Sequence, residues 1–136
     1  MNIVVIAHFQ YDNSPYCLFV RQQVIAYKKM GHNVVVISPL TRFKKGVNQY
    51  AENKMTNIVD DVKVYYPRHL SFSNYGKYGA NSYFAFKKID KIFRKLVTDF
   101  KPDLIHANMI GFDGKIGTML KEKYNIPLFI TTHGSD

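Results

Sequence analysis

Cysteine is nearly absent. Cys17 stands alone in 136 residues, so no internal disulfide can form and a thiol-based metal site lacks its second ligand. Acids are scarce as well, 10 Asp and Glu against 19 Lys and Arg, and they do not cluster. Asp60-Asp61 precede a strand-like run and read as a turn, while Asp103 follows Pro102 as a strand entrance. With no second carboxylate at a convincing position, two-carboxylate glycoside hydrolysis has no support, and no metal is expected. Long apolar runs are missing: none approaches the roughly 20 residues that cross a bilayer. Met1 to Ile6 lacks the basic start and extended apolar region of a signal peptide, so a cytoplasmic protein is expected. No G-x-G-x-x-G set follows the first apolar run, which disfavours hydride transfer. Zinc-finger spacing and the aromatic RNA-binding signature are also missing, so nucleic acid is not an expected partner.

What is present is an apolar fraction of 46% and a formal net charge of +9. The first, at this length, predicts a single globular domain over residues 1–136. The second draws anionic partners without choosing among them. Asn2 to Ala7, Val34 to Ile37 and Val62 to Tyr66 are short Val/Ile-rich runs bounded by polar residues or proline and read as strands, the third edge-like and closed by Pro67. Leu18 to Met30 has a helical apolar face that stops at Gly31. Residues 41–57 read as a long surface connection, partly helical, and residues 68–80 as a loop leading into a helix. From about Asn81 to Phe100, Phe86, Ile89, Phe93, Leu96 and Phe100 share one face, with Lys87, Lys88, Lys91, Arg94 and Lys95 mostly elsewhere. That helix covers a sheet with a solvated basic side, and the same side suits an anionic membrane surface.

The last quarter, PDLIHANMIGFDGKIGTMLKEKYNIPLFITTHGSD, holds two short strands joined by a helix. Each strand ends in chemically capable side chains: His106 and Asn108 after the first, then His133, Gly134, Ser135 and Asp136 after the second. A βαβ unit of this kind has parallel strands, and open parallel sheets bind ligands beyond the carboxyl ends of their strands. The element order predicts an α/β fold with a doubly wound parallel sheet, its five strands ordered 3-2-1-4-5 in chain numbering. Gly134-Ser135-Asp136 looks like a helix cap with no helix after it, so the chain is expected to be an N-terminal piece of something longer.

Pro102 to Asn108, Ile126-Pro127-Leu128 through Asp136, and Gly31-His32-Asn33-Val34-Val35-Val36 after a helix carrying Arg21 together resemble the N-terminal domain of family-4 retaining glycosyltransferases of GT-B fold. The resemblance covers essentially the whole chain. It implies a Rossmann-like half of a GT-B architecture, a nucleotide-sugar donor held mainly by a second domain, and a saccharide or lipid-linked acceptor at the cytosolic membrane face. It implies no metal and no cofactor. It also assigns roles. His133 lies under the donor sugar as the catalytic candidate, and Arg21 matches the family's arginine in the helix after the first loop. His8, His106, Asn108, Gly134, Ser135 and Asp136 are the remaining substrate-binding candidates. Where many relatives carry a Gly-rich turn after the first strand, this chain has Tyr11-Asp12-Asn13-Ser14-Pro15-Tyr16. Each histidine also has a plain packing reading, and Arg21 a surface ion pair. The alternative function is a non-catalytic module of the same fold that binds a phosphorylated ligand or a partner protein, since this architecture hosts many functions.

Overall fold

The structure is a computed structural model that describes residues 1–7, 11, 18–41, 56–71 and 78–134. Its strands are β1 (Asn2–Ile6), β2 (Asn33–Ile37), β3 (Leu40–Thr41), β4 (Thr56–Val59), β5 (Val62–Tyr65), β6 (Arg68–His69), β7 (Leu104–Ala107) and β8 (Leu128–Ile130). Its helices are α1 (Leu18–Lys29), α2 (Tyr78–Asp99) and α3 (Phe112–Tyr124). The main sheet has six strands in the order β4-β5-β2-β1-β7-β8, and β3 and β6 form a separate two-stranded pair. Five strands run parallel; β4 alone is antiparallel, paired with β5.

The alternation of side chains along β1 explains why it reads as unbroken Val and Ile. Ile3 and Val5 pack with Val20 and Val24 of α1. Val4 and Ile6 pack on the other face with Ile89 and Phe93 of α2 and with Ile116 and Leu120 of α3. Both faces are covered, so neither can be polar. Helix α1 ends in a Schellman turn: Gly31 takes φ +80, its N–H donates to the Lys28 carbonyl, and His32 N–H donates to that of Tyr27. Only glycine enters that conformation without strain.

Helices α2 and α3 are tied by Asp90, whose side chain is buried. Its carboxylate accepts from Lys123 Nζ at 2.7 Å, from Tyr124 Oη at 2.6 Å and from Arg94 Nη2 at 2.8 Å. Burial alone would raise its pKa, but these donors outweigh it and hold the group at about 2. Tyr124 responds in the opposite sense, pushed up to about 12 by burial and by the carboxylate it faces.

Two expectations are corrected. The strand at Val62 is not at the edge: β4 lies outside it, joined by the two-residue turn Asp60-Asp61. Both turn residues have positive φ, 51 and 59, as a type I′ hairpin needs. The part of residues 41–57 read as a surface connection therefore ends in a strand; residues 42–55 lie outside the described residues. The sheet is accordingly mixed at one edge instead of parallel throughout.

Candidate functional site

Backbone hydrogen bonds continue past the ends of the parallel strands and set the loops there in register. Ala7 N–H donates to Ile37, Asn108 N–H to Ile6 and Thr131 N–H to Ala107, at 3.1, 3.1 and 2.9 Å. The winding of the sheet reverses between β1 and β7, which opens a crevice at their carboxyl ends.

Asn108 stands at that point. It is 1% exposed, and neither its Nδ2 nor its Oδ1 has a hydrogen-bond partner. Leaving buried amide atoms unpaired costs about 1–3 kcal/mol apiece, a cost that a folded domain tolerates where a ligand supplies the missing partners. An amide offers a donor and an acceptor together, which suits a hydroxyl.

His133 follows β8 by three residues and rests on α1, its ring centroid 4.0 Å from that of Phe19. Gly134 then takes φ +66, and nothing lies within 4 Å of where a Cβ would stand. Its glycine is thus required by backbone conformation and not by space. His133 and Asn108 belong to the same end of the sheet, on loops linked by the Thr131–Ala107 bond.

His106 is a strut. It is 2% exposed, and both ring nitrogens are engaged: Nδ1 with Tyr27 Oη at 2.9 Å and Nε2 with Thr131 Oγ1 at 2.7 Å. Its pKa is lowered, first by burial and then by proximity to His133. The substrate contact expected of it is replaced by a bracing role between α1 and the loop that carries His133.

Arg21 is likewise redirected. Its Nη2 lies 2.7 Å from Asp60 Oδ2, and Lys28 Nζ lies 2.8 Å from Asp61 Oδ2. Two adjacent carboxylates on a tight turn repel, and α1 supplies a cation for each. The pair lies at the amino end of β5, away from Asn108, so the expected contact of Arg21 with an anionic ligand gives way to a contact within the chain. His8, Ser135 and Asp136 lie outside the described residues.

The residue that sequence reasoning missed is His69. It sits on β6, 1% exposed, with Nδ1 3.0 Å from the Leu70 carbonyl and its ring 5.4 Å from that of Phe112, the first residue of α3. Nε2 has no partner, and burial lowers the pKa against a smaller opposing effect of the Leu70 bond. Ser82 in the second turn of α2 is also buried with its hydroxyl unpartnered. Residues 68–80 read as a loop because β6 is only two residues long. Its one signal was a histidine four residues past the end of β5, just after Pro67. Among the described residues no group of three or more His, Cys, Asp or Glu could hold a metal ion. No helix among them is long and apolar enough to cross a membrane.

The sequence profile of Glycosyltransferase Family 4 matches residues 18–136. The chain belongs to that family. Solved structures agree on the fold. Sucrose-phosphate synthase from Thermosynechococcus elongatus is similar in two crystal structures, with TM-scores of 0.62 and 0.64 at 16% identity. The catalytic domain of starch synthase IV from Arabidopsis thaliana, bound to ADP and acarbose, gives 0.56 at 14% identity. Each alignment covers 96% of this chain but only 62%, 32% and 33% of the other. A search of curated protein sequences returns no match. This family-4 domain is thus a Rossmann-like α/β unit of the kind that forms the N-terminal half of GT-B glycosyltransferases.

Proposed function

We propose that this chain is the acceptor-side domain of a nucleotide-sugar-dependent, retaining glycosyltransferase. In this reading the enzyme moves a hexosyl group to a saccharide or lipid-linked glycan during cell-surface polysaccharide synthesis. The observation that carries the reading is the buried, unpartnered amide of Asn108 at the reversal of the sheet. It offers both halves of a hydrogen-bonding pair to a hydroxyl, in a place shielded from water. His133, on the neighbouring loop, hydrogen-bonds the transferred sugar, while backbone groups around Gly134 face the charge that develops at the anomeric carbon. The donor's nucleotide is held mainly by a second domain, with no metal or cofactor. The 136-residue chain alone is therefore inactive, because one wall of a crevice cannot hold donor and acceptor in line.

The basic side of α2 suits a peripheral position on the cytoplasmic face of an anionic membrane. Lys87 lies 4.7 Å over the half-exposed Tyr83 ring, and Lys88, Lys91 and Lys95 are exposed on the same helix. Basic residues beside an aromatic ring are what such surfaces attract.

The test is transfer from UDP- and GDP-hexoses to saccharide acceptors by the complete enzyme. Asn108→Ala is expected to lower kcat/KM about tenfold or more, the loss of roughly one buried hydrogen-bonding pair. Unchanged kcat/KM, or tight UDP or GDP binding by residues 1–136 in calorimetry, would end this reading.

A further inference from the structure

His69 has an asymmetry that fixes what it can bind. A carbonyl oxygen only accepts hydrogen bonds, so the contact between Nδ1 and the Leu70 carbonyl at 3.0 Å places the ring proton on Nδ1. Burial favours the uncharged ring, which leaves Nε2 as a bare lone pair. That lone pair is buried and unmatched.

Its setting is packed on three sides. Thr41 and His69 are register partners in the β3–β6 pair, α2 packs on β6, and the ring meets Phe112. Phe112 opens α3 at the far side of the short loop that Asn108 begins, so His69 packs at one end of that loop and Asn108 stands at the other. Asn108 can give or take a hydrogen bond; His69 Nε2 can only take one.

We propose that His69 Nε2 accepts a hydrogen bond from a hydroxyl of the acceptor saccharide, making His69 a specificity-determining residue on the flank of the crevice opposite His133. The inference rests on the transferase reading above. It requires a neutral, hydroxyl-bearing group at this position. A carboxylate oxygen brings no proton to offer, and a phosphate, although it keeps a P–OH near neutral pH, would bury its charge beside an uncharged ring.

The test uses the 15N-labelled protein and a panel of methyl hexopyranosides, with inorganic phosphate as the contrast. Long-range proton–nitrogen spectra are expected to show His69 with its proton on Nδ1, and the Nε2 signal is expected to move with at least one glycoside but not with phosphate. His69→Phe keeps the ring against Phe112 and should weaken glycoside binding about tenfold, whereas His69→Gln, which retains an acceptor oxygen, should recover part of it. A proton on Nε2, a response to phosphate alone, no response to any glycoside, or full binding by His69→Phe would each overturn the proposal. The wild-type spectra decide the tautomer even if a variant does not fold. In the complete enzyme His69→Phe should raise the acceptor KM and leave the donor KM unchanged; an unchanged acceptor KM sinks this inference alone. Glycoside binding at His69 in an enzyme without transfer activity would instead sink the transferase reading and leave the binding site standing.

Discussion

His106 Nε2 and Thr131 Oγ1 lie 2.7 Å apart, which ties the end of β7 to the loop that presents His133. On the other edge of the same ring, Tyr27 Oη at 2.9 Å ties β7 to α1. One buried imidazole thus fixes the distance between a helix on one side of the sheet and the last strand of that sheet.

Cutting this strut should cost more than an average surface hydrogen bond. Thr131→Val keeps the shape but leaves a buried ring nitrogen unmatched, for an expected loss of about 1–3 kcal/mol. His106→Ala removes the ring and strands both hydroxyls, for about 2–4 kcal/mol. Urea unfolding followed by circular dichroism measures both, and losses below about 0.5 kcal/mol, the size of an ordinary surface effect, would contradict the bracing role.

Acid should weaken the fold from near-neutral pH downwards. His106 and His69 both have pKa values lowered from 6.5, mainly by burial. The unfolded chain therefore takes up protons first as pH falls. Their contribution is complete above 6.5 and is lost as pH drops below it towards the folded-state values. His69→Phe should reduce that slope, and a stability profile that is flat from pH 7 to 5 would show that the two rings are not buried as described.

Asp90 has a separate and lower window. Its folded pKa of about 2 lies below the ordinary 3.8, so its stabilisation is present above 3.8 and disappears as pH falls through about 2. Arg94 and Lys123 are 66% and 43% exposed and can rehydrate, which limits the cost of Asp90→Asn at neutral pH to about 2 kcal/mol. The difference from wild type should vanish near pH 2. A constant difference across that range would mean that packing of α2 on α3, and not the ion network, carries the effect.

Two glycines of α3 should behave differently when replaced by alanine. At Gly114 a Cβ would meet the Met109 carbonyl oxygen at 3.0 Å and Ile130 at 3.3 Å; at Gly117 it would meet Leu128 Cδ1 at 2.7 Å. A backbone oxygen cannot step aside, but the tip of a leucine on the edge strand can. Helix propensity favours alanine by about 1 kcal/mol at both positions. Gly117→Ala is therefore expected to stay within about 1 kcal/mol of wild type, and Gly114→Ala to lose about 1–2 kcal/mol. Thermal melts of the two variants check the order, and the reverse order would mean that Leu128 is locked.

Local pattern alone determined the three helices, the five parallel strands and the end of the sheet at which polar side chains gather. The Val and Ile runs of β1 and β2, the stop at Gly31 and the apolar stripe of α2 each state their structure within a few residues. Hydrophobic periodicity is a local quantity, and so are these elements. Strands β3, β4 and β6 escaped it: β3 and β6 are two residues long and β4, Thr56-Asn57-Ile58-Val59, opens on polar residues; they exist through the pairing of β3 with β6 and of β4 with β5. Tertiary structure alone decided the uses of the polar groups. Arg21 went to Asp60 across 39 residues of chain, His106 went to Tyr27 and Thr131, and Asn108 and His69 were left buried with atoms unmatched. Whether a side chain has a partner depends on what the fold brings beside it, and no spacing along the chain encodes that.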